Sequence, residues 1–179
     1  FAAAEPNETG LRIASADLEI PVDIDAETVD NALALTARLV LRAVVAAPPS
    51  VTIQIRSEIP IASGLGSGAA VSTALARALL GVTERSLDDA ALNALIYEVE
   101  KIHHGTPSGI DNTVIVYERP VYFVREQPIE RLNIGQPMTL LVGDTGKSAS
   151  TRAAVGGVRE LYERDPAATQ PLLDDIGAI

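Results

Sequence analysis

The sequence feature that most constrains the fold is a glycine-rich stretch at residues 60–70, which reads PIASGLGSGAA. It places three glycines and two serines between an apolar, strand-like run and an alanine-rich, helix-like run. Glycine adopts positive φ and lets a ligand approach the backbone, so such a run can turn several N–H groups toward one point. A helix that begins near Ser67 would add its unpaired N–H groups and the positive end of its dipole. The pattern is typical of a cradle for an anion such as a phosphate.

The same pattern also occurs as a plain structural loop in front of a helix, and the glycines alone do not separate the two interpretations. The stretch is not a Walker A loop, because it lacks the Gly-Lys-Ser/Thr ending, and it fits the Rossmann fingerprint poorly. A second motif is needed to decide between a loop and a phosphate site.

Composition narrows the class of protein. The chain has 179 residues, of which 47% are hydrophobic and only 3% aromatic, so one sizeable aliphatic core, or one domain and part of a second, is expected. A net charge of −10 argues against a nucleic-acid partner. The absence of cysteine excludes disulfides, thiolate zinc sites and cysteine nucleophiles, and it fits a cytoplasmic location. No apolar run is long enough to predict a membrane span, since Arg38 and Arg42 interrupt the longest one.

Hydrophobic periodicity predicts a mixture of strands and helices that do not strictly alternate, which favours an α+β fold over a doubly wound parallel sheet. Strands are predicted at residues 11–18, 50–57 and 138–143, with a hairpin at 113–124 and a linker at 128–137. Helices are predicted at residues 25–46, 67–80, 87–103 and 150–164, and another at the end of the chain. Gly81 is expected to stop the second helix, and Ser86 or Asp88 to cap the third.

The second motif is the stretch at residues 97–112, YEVEKIHHGTPSGIDN, which holds both histidines and an acidic pair, Glu100 and Asp111. Because a helix here must end before Gly105, Glu100 is predicted on its last turn and Asp111 on the loop beyond. One carboxylate could then hold a divalent cation that bridges phosphates, while the other accepts a proton from a hydroxyl. The alternative is an ordinary solvated helix end, with Asp111 as the cap of the next element.

Both stretches resemble motifs of one superfamily. PIASGLGSGAA resembles the phosphate-binding motif of the GHMP kinases, which include galactokinase and homoserine kinase. EKIHHGTPSGIDN is similar to the stretch specific to the mevalonate kinases among them. The resemblance implies a two-domain α+β fold. A ribosomal protein S5 domain 2-like N-terminal domain would occupy residues 1–133, and the start of a ferredoxin-like C-terminal domain residues 134–179.

The resemblance also implies roles for individual residues, with ATP and Mg²⁺ as the cofactors. Asp111 would be the base that takes the proton from the 5-hydroxyl of mevalonate, and Glu100 and Ser67 would ligate Mg²⁺. The ATP phosphates would be held by Gly64, Leu65, Gly66, Ser67, Gly68 and Ala69. The substrate side would be formed by His104, Gly105, Ser108 and Thr151. Gly68 stands where many family members have a second serine that helps to hold the metal, which leaves that duty to Ser67 or to water.

The expected reaction is ATP-dependent phosphorylation of the primary hydroxyl of mevalonate, by a protein that could form a homodimer. One alternative is another GHMP kinase acting on a different alcohol, such as homoserine. A second is a P-loop switch protein, because residues 140–148 read LLVGDTGKS, although Leu141 stands where a Walker A loop needs glycine. A third is a catalytically incomplete chain, because the resemblance runs from Leu11 to Asp165 and lacks the family's first and last motifs.

Overall fold

The computed structural model describes residues 1–15, 22–23, 31–59, 64–104, 107–125, 127–143 and 151–178. The described residues contain a four-stranded sheet, a two-stranded sheet and six helices. The predicted α+β class is confirmed.

The larger sheet has the strand order β1-β4-β2-β3. Its strands are β1 (Ala2–Pro6), β2 (Arg12–Ser15), β3 (Val22–Asp23) and β4 (Val51–Ile55). Strand β4 pairs antiparallel with β1 and parallel with β2, so that Ile53 faces Ala4 on one side and Ile13 on the other. Both isoleucines are fully buried. The strands predicted near residues 11–18 and 50–57 are therefore present, although residues 16–18 of the first lie outside the described part.

Four helices pack against one another, and α2 also packs against β1 and β4 of this sheet. They are α1 (Ala32–Ala43), α2 (Ser67–Val82), α3 (Asp89–His104) and α4 (Ile110–Tyr117). Helix α1 begins where the Asn31 side chain accepts a hydrogen bond from Leu33 N at 2.8 Å. Of the two caps predicted for α3, Asp88 is the one used, since its carboxylate accepts from Ala91 N at 2.7 Å. Residues 25–30 of the first predicted helix lie outside the described part.

The core that these elements enclose is aliphatic, as the composition predicts. Its larger buried side chains are Leu11, Ile13, Val40, Leu41, Ile53, Ile55, Leu75, Leu79, Leu80, Leu92, Leu95, Ile96, Val99 and Val116. Every helix from α1 to α4 contributes to it, so the elements that carry the two motifs share one packed interior.

The prediction that Gly81 stops α2 is wrong. The helix runs through Gly81 to Val82, and Thr83 N still bonds to Leu79 O. The left-handed residue that follows the helix is Glu84, with φ of +52°. Because Glu84 takes the conformation for which glycine is usually needed, Gly81 is free to remain helical.

The hairpin predicted at residues 113–124 is also wrong in its first half, which forms α4. The run is rich in β-branched residues, which favour strands, but side-chain packing overrides this preference. Val116 is buried in the core, and Thr113 Oγ1 donates to Gly109 O at 2.6 Å. The second half forms β5 (Val121–Tyr122), which pairs with β6 (Glu130–Arg131) inside the predicted linker.

The last part of the chain is helical. Helices α5 (Thr151–Arg164) and α6 (Pro166–Gly177) contact each other, and the Asp165 side chain caps α6 by accepting from Ala168 N at 3.1 Å. Both helices were predicted. The buried strand predicted at residues 138–143 is absent, because none of the described strands pairs with this segment, and Leu141 is 97% exposed. Residues 144–150 lie outside the described part.

Beyond Val116, none of the residues whose side chains are described is buried. Across the described ranges, no helix combines the length and the apolar character that crossing a bilayer requires. The division into domains at residue 133, and the ferredoxin-like character of the second domain, remain predictions.

Candidate active site

The glycine loop, residues 60–70, is described from Gly64 onward, and this part has the backbone conformation that the sequence predicts. Gly64 and Gly66 both have positive φ, +77° and +70°, and α2 begins at the next residue, Ser67. Among the described residues no side chain caps this helix at Gly66, and its first turn contains no acidic residue. The N–H groups at the start of α2 have no i−4 carbonyl to bond to. This end of α2 is therefore suited to an anion.

Asp111 lies directly against this loop. A Cβ added to Gly66 would be 3.7 Å from Asp111 Cβ and 3.8 Å from Asp111 Cγ. Two motifs that are far apart in the sequence thus meet in space. Gly66 is needed for two reasons, since a side chain there would be strained by the positive φ and would occupy the space beside the Asp111 carboxylate.

Asp111 lies on a helix and not on the predicted loop, because the chain turns helical directly after Gly109. Gly109 has φ of +93°, and Asp111 is in the first turn of α4. Ser108 Oγ accepts from Ile110 N at 3.2 Å, which fixes the entry into the helix. The start of α4 therefore lies beside the start of α2, and both helices are entered through a left-handed glycine.

The turn before Asp111 is held by three residues: Phe123 and Arg125, which the sequence reasoning missed, and Tyr97, which it left without a role. Arg125 Nη2 donates to Pro107 O at 2.8 Å and to Tyr97 Oη at 3.2 Å. Phe123 packs on Gly109, where an added Cβ would approach Phe123 Cζ to 3.0 Å. Tyr97 is the first residue of the motif and lies in α3, whereas Phe123 and Arg125 come from the segment around β5, and no spacing in the sequence connects these two to the motif.

Glu100 lies on the inner face of α3, beside Ile96 and Val99, and is only 2% exposed. Burying a carboxylate among aliphatic side chains is unfavourable unless other groups compensate, so packing alone does not explain a glutamate here. Helix α3 ends at His104, which agrees with the predicted position of Glu100 near the end of the helix.

The oxygen donors present suit a magnesium ion that is bound partly by phosphate and water better than a metal that is bound by protein ligands alone. Within the described ranges there is no group of three or more His, Cys, Asp or Glu side chains that could hold a metal ion. Mg²⁺ is commonly bound through one or two carboxylates together with phosphate oxygens and water. The carboxylate of Glu100 and the hydroxyl of Ser67 are donors of the right chemical type.

The remaining predicted site residues are only partly described. His104 is the last residue of α3 and Thr151 the first of α5, and these two helices contact each other. The side chains of both residues lie outside the described part, as does Gly105.

A cleft of about 400 Å³ opens beside the first turns of α2. Its lining comes from the start of the chain, the end of β4 and one face of α2: Phe1, Ile55, Arg56, Ser57, Glu58, Ile59, Ala70, Val71 and Ala74. Small-molecule sites commonly enclose about 300–1,000 Å³, so the cleft has the size of a ligand pocket.

Comparison with known proteins agrees with this geometry. Residues 31–119, which run from the cap of α1 to the end of α4, match the family described as the GHMP kinases N terminal domain. The chain belongs to the GHMP kinase family. The GHMP match includes both the glycine loop and Asp111, so the two motifs that meet in the structure are parts of one family domain.

Among its relatives, this GHMP kinase chain is 39% identical to a mevalonate kinase of Arabidopsis thaliana over 140 residues, which are 72% of this chain and 37% of that protein. A Methanococcus jannaschii mevalonate kinase structure has a TM-score of 0.65 at 22% identity, covering 74% of this chain and 45% of the other. The L. major mevalonate kinase in complex with R-mevalonate has a TM-score of 0.61 at 23% identity, covering 97% and 54%. The chain thus spans about half or less of the length of these proteins.

Proposed function

We propose that this chain provides the phosphate-binding and catalytic part of a kinase that transfers the γ-phosphate of ATP to the primary hydroxyl of mevalonate, giving 5-phosphomevalonate. The observation that carries the proposal is the contact between Asp111 and Gly66, which puts a carboxylate beside an anion cradle. The similarity to mevalonate kinases supports the choice of substrate.

The phosphates of ATP would bind at the start of α2. Residues 64–69 would surround them, with the N–H groups of Ser67, Gly68 and Ala69 donating hydrogen bonds and the helix dipole adding attraction. The cleft beside α2 would take the rest of the nucleotide. Binding there would fix the γ-phosphate close to Asp111, and positioning of this kind supplies a large share of catalysis in phosphoryl transfer.

Asp111 would act as the general base. Its carboxylate would accept the proton of the mevalonate hydroxyl while the hydroxyl oxygen forms its bond to the γ-phosphorus. The bond from that phosphorus to the β–γ bridging oxygen breaks, and its electron pair leaves with ADP. The first turn of α4 suits this role, because it holds the Asp111 carboxylate beside the glycine loop, where the phosphates would bind.

Glu100 and Ser67 would hold the magnesium ion. When bound, Mg²⁺ offsets negative charge on the β- and γ-phosphates. On the substrate side, Ser108 fixes the entry into α4. We expect His104, Gly105 and Thr151 to line the space that the mevalonate occupies.

The first test measures ADP release by the protein with Mg²⁺-ATP and one acceptor at a time: mevalonate, homoserine, galactose or phosphomevalonate. We expect release with mevalonate only. Release with a different acceptor would keep the phosphate site and overturn the substrate. No release with any acceptor would overturn the kinase proposal for this chain and favour a catalytically incomplete one.

The second test replaces the proposed base. Asp111→Asn should lower kcat by about 10²–10⁴, because a general base contributes a factor of this size, while ATP binding changes little. Asp175→Asn is the matched control, since it removes an exposed carboxylate on α6. Turnover of the Asp111 variant close to that of the control would exclude the base role.

The P-loop alternative receives no support from the fold. A Walker A loop must follow a strand and lead into a helix. Residues 138–143, which precede the Gly-Lys-Ser sequence, form no strand and are exposed. A kinase for another small alcohol and a catalytically incomplete chain are the remaining alternatives, and the panel of acceptors distinguishes them.

A further inference from the structure

We propose that Arg77 is a positioning residue, which anchors the end of α4 to α2 and so keeps Asp111 beside the glycine loop. This inference rests on the proposed function, because it gives Arg77 an effect on catalysis through Asp111. Arg77 lies in α2, well beyond the phosphate-binding turn, and belongs to neither motif.

The contacts of Arg77 join two helices. Its Nη2 donates to Val116 O at 2.9 Å, and its Nη1 forms an ion pair with the Glu118 carboxylate. Val116 is the buried residue near the end of α4, and Glu118 is the residue that ends the helix, with φ of +51°. One guanidinium group therefore binds both the last turn of α4 and its left-handed terminating residue.

Helix α4 needs an anchor of this kind. It has only eight residues, and isolated helices of that length are not stable in water. Its sequence is rich in β-branched residues, which favour strands. Its last turn contains no basic residue that could donate hydrogen bonds to the carbonyl groups left unpaired at the end of a helix. Arg77 supplies this positive charge from α2.

The anchor and the active site are at opposite ends of the same short helix. Asp111 contacts Gly66 at the start of α2, whereas Arg77 binds Val116 and Glu118 further along. At 1.5 Å per residue, Asp111 and Val116 are about 7.5 Å apart along the axis of α4. Because little more than one helical turn separates the two ends, a shift at the end of α4 is expected to move its start, and displacements of about 1 Å at a reacting group lower rates strongly.

The hydrogen bond to the backbone is the more important of the two contacts. The side chains of Arg77 and Glu118 are 40% and 66% exposed, so their ion pair is screened by water and contributes little. The guanidinium fork can bind a carbonyl and a carboxylate at the same time, whereas a lysine ammonium group cannot reproduce that geometry. Arg77→Lys should therefore restore only part of what Arg77→Ala loses.

The experiment combines kinetics with hydrogen exchange. Arg77→Ala should lower kcat about tenfold while KM for ATP stays within about twofold, because positioning of Asp111 and not nucleotide binding is affected. Glu118→Gln, which keeps the bond to Val116 O, should lower kcat about twofold or less. The control is Glu98→Ala, which removes the ion pair to Lys101 on α3 and should leave kcat unchanged.

A double variant tests whether Arg77 acts through Asp111. If it does, Arg77→Ala combined with Asp111→Asn should lose no more activity than Asp111→Asn alone. Multiplied losses would overturn the proposal. Arg77→Lys replaces Arg77→Ala in this cycle if the alanine variant does not fold.

Hydrogen exchange of the amides of residues 114–117 reports on the anchor without any turnover. Exchange in α4 should be faster in Arg77→Ala than in the Glu98→Ala control, and equal rates would overturn the anchor. If Asp111→Asn keeps wild-type activity, the proposed function fails and the catalytic role of Arg77 fails with it, while faster exchange would still establish the anchor.

Discussion

The two ends of the chain are organised in opposite ways. Up to Val116, the helices α1 to α4 and the larger sheet enclose an aliphatic core in which several side chains are completely buried. Beyond Val116, none of the side chains that the structure describes is buried, and α5 and α6 expose Val155, Leu172 and Ile176. The same kinds of residue thus contribute to stability in the first region and contact solvent in the second.

This difference in burial indicates which of the proposed site residues are held in place by packing. The glycine loop, Glu100 and Asp111 all belong to elements whose inner faces are buried, so their relative positions are set by packing. Thr151, the substrate residue predicted furthest along the chain, lies at the start of α5 in the exposed region. The residues proposed for phosphate binding and proton transfer are therefore supported by a packed core, whereas the role predicted for Thr151 would depend on how α5 is held.

The largest expected effect on the free energy of unfolding comes from comparing a buried leucine with an exposed one. Leu79 is completely buried in α2, and Leu172 on α6 is 63% exposed. Leu79→Ala should lower the free energy of unfolding by about 2–5 kcal/mol, because it leaves a cavity, and Leu172→Ala should change it by less than about 0.5 kcal/mol. Urea denaturation of both variants measures this. Similar losses would mean that the second region is as tightly packed as the first.

The next largest effect on the free energy of unfolding comes from comparing two glycines of the packed region. Gly66→Ala should lower the free energy of unfolding by about 1–2 kcal/mol, because alanine is strained at a φ of +70°. It should also weaken ATP binding. Gly81→Ala should raise the free energy of unfolding by about 0.5–1 kcal/mol, since Gly81 is helical and an added Cβ meets no atom within 4 Å.

Thermal unfolding and titration with Mg²⁺-ATP would measure both glycine variants. Equal stability of the two would argue against the left-handed conformation of the loop. Unchanged ATP binding by the Gly66 variant would argue against the phosphate site.

The smallest effect on the free energy of unfolding comes from comparing two residues that cap helices. Asn31 caps α1 in the packed region, and Asp165 caps α6 in the exposed one. Asn31→Ala should lower the free energy of unfolding by about 1 kcal/mol, whereas Asp165→Ala should only fray α6 and leave the main transition within about 0.5 kcal/mol. Circular dichroism followed through urea unfolding separates the two. If Asp165→Ala lowered the free energy of unfolding as much as Asn31→Ala does, α6 would unfold together with the core.

Most of the helices and much of the candidate site could be predicted from the sequence, because their signals are local. The glycine loop, the start of α2 and the cap at Asp88 follow from residues that act within a few positions of one another. The family motifs also singled out Asp111, which the structure places beside Gly66, whereas the roles of Asp111 and Glu100 remain predictions. Phe123 and Arg125, which hold the turn before Asp111 together with Tyr97 of the second motif, could not be found this way, since they reach the turn only in three dimensions.

The sequence by itself determined the α+β class, the aliphatic core and the left-handed conformation of Gly64 and Gly66 in the glycine loop, because composition and backbone preference act locally. Only the tertiary structure decided that residues 110–117 form a helix and that residues 138–143 form no strand. Both segments contain apolar, β-branched residues. Their conformation depends on whether a partner is present, and the partner of α4, which includes Arg77 and Asn93, comes from distant parts of the chain.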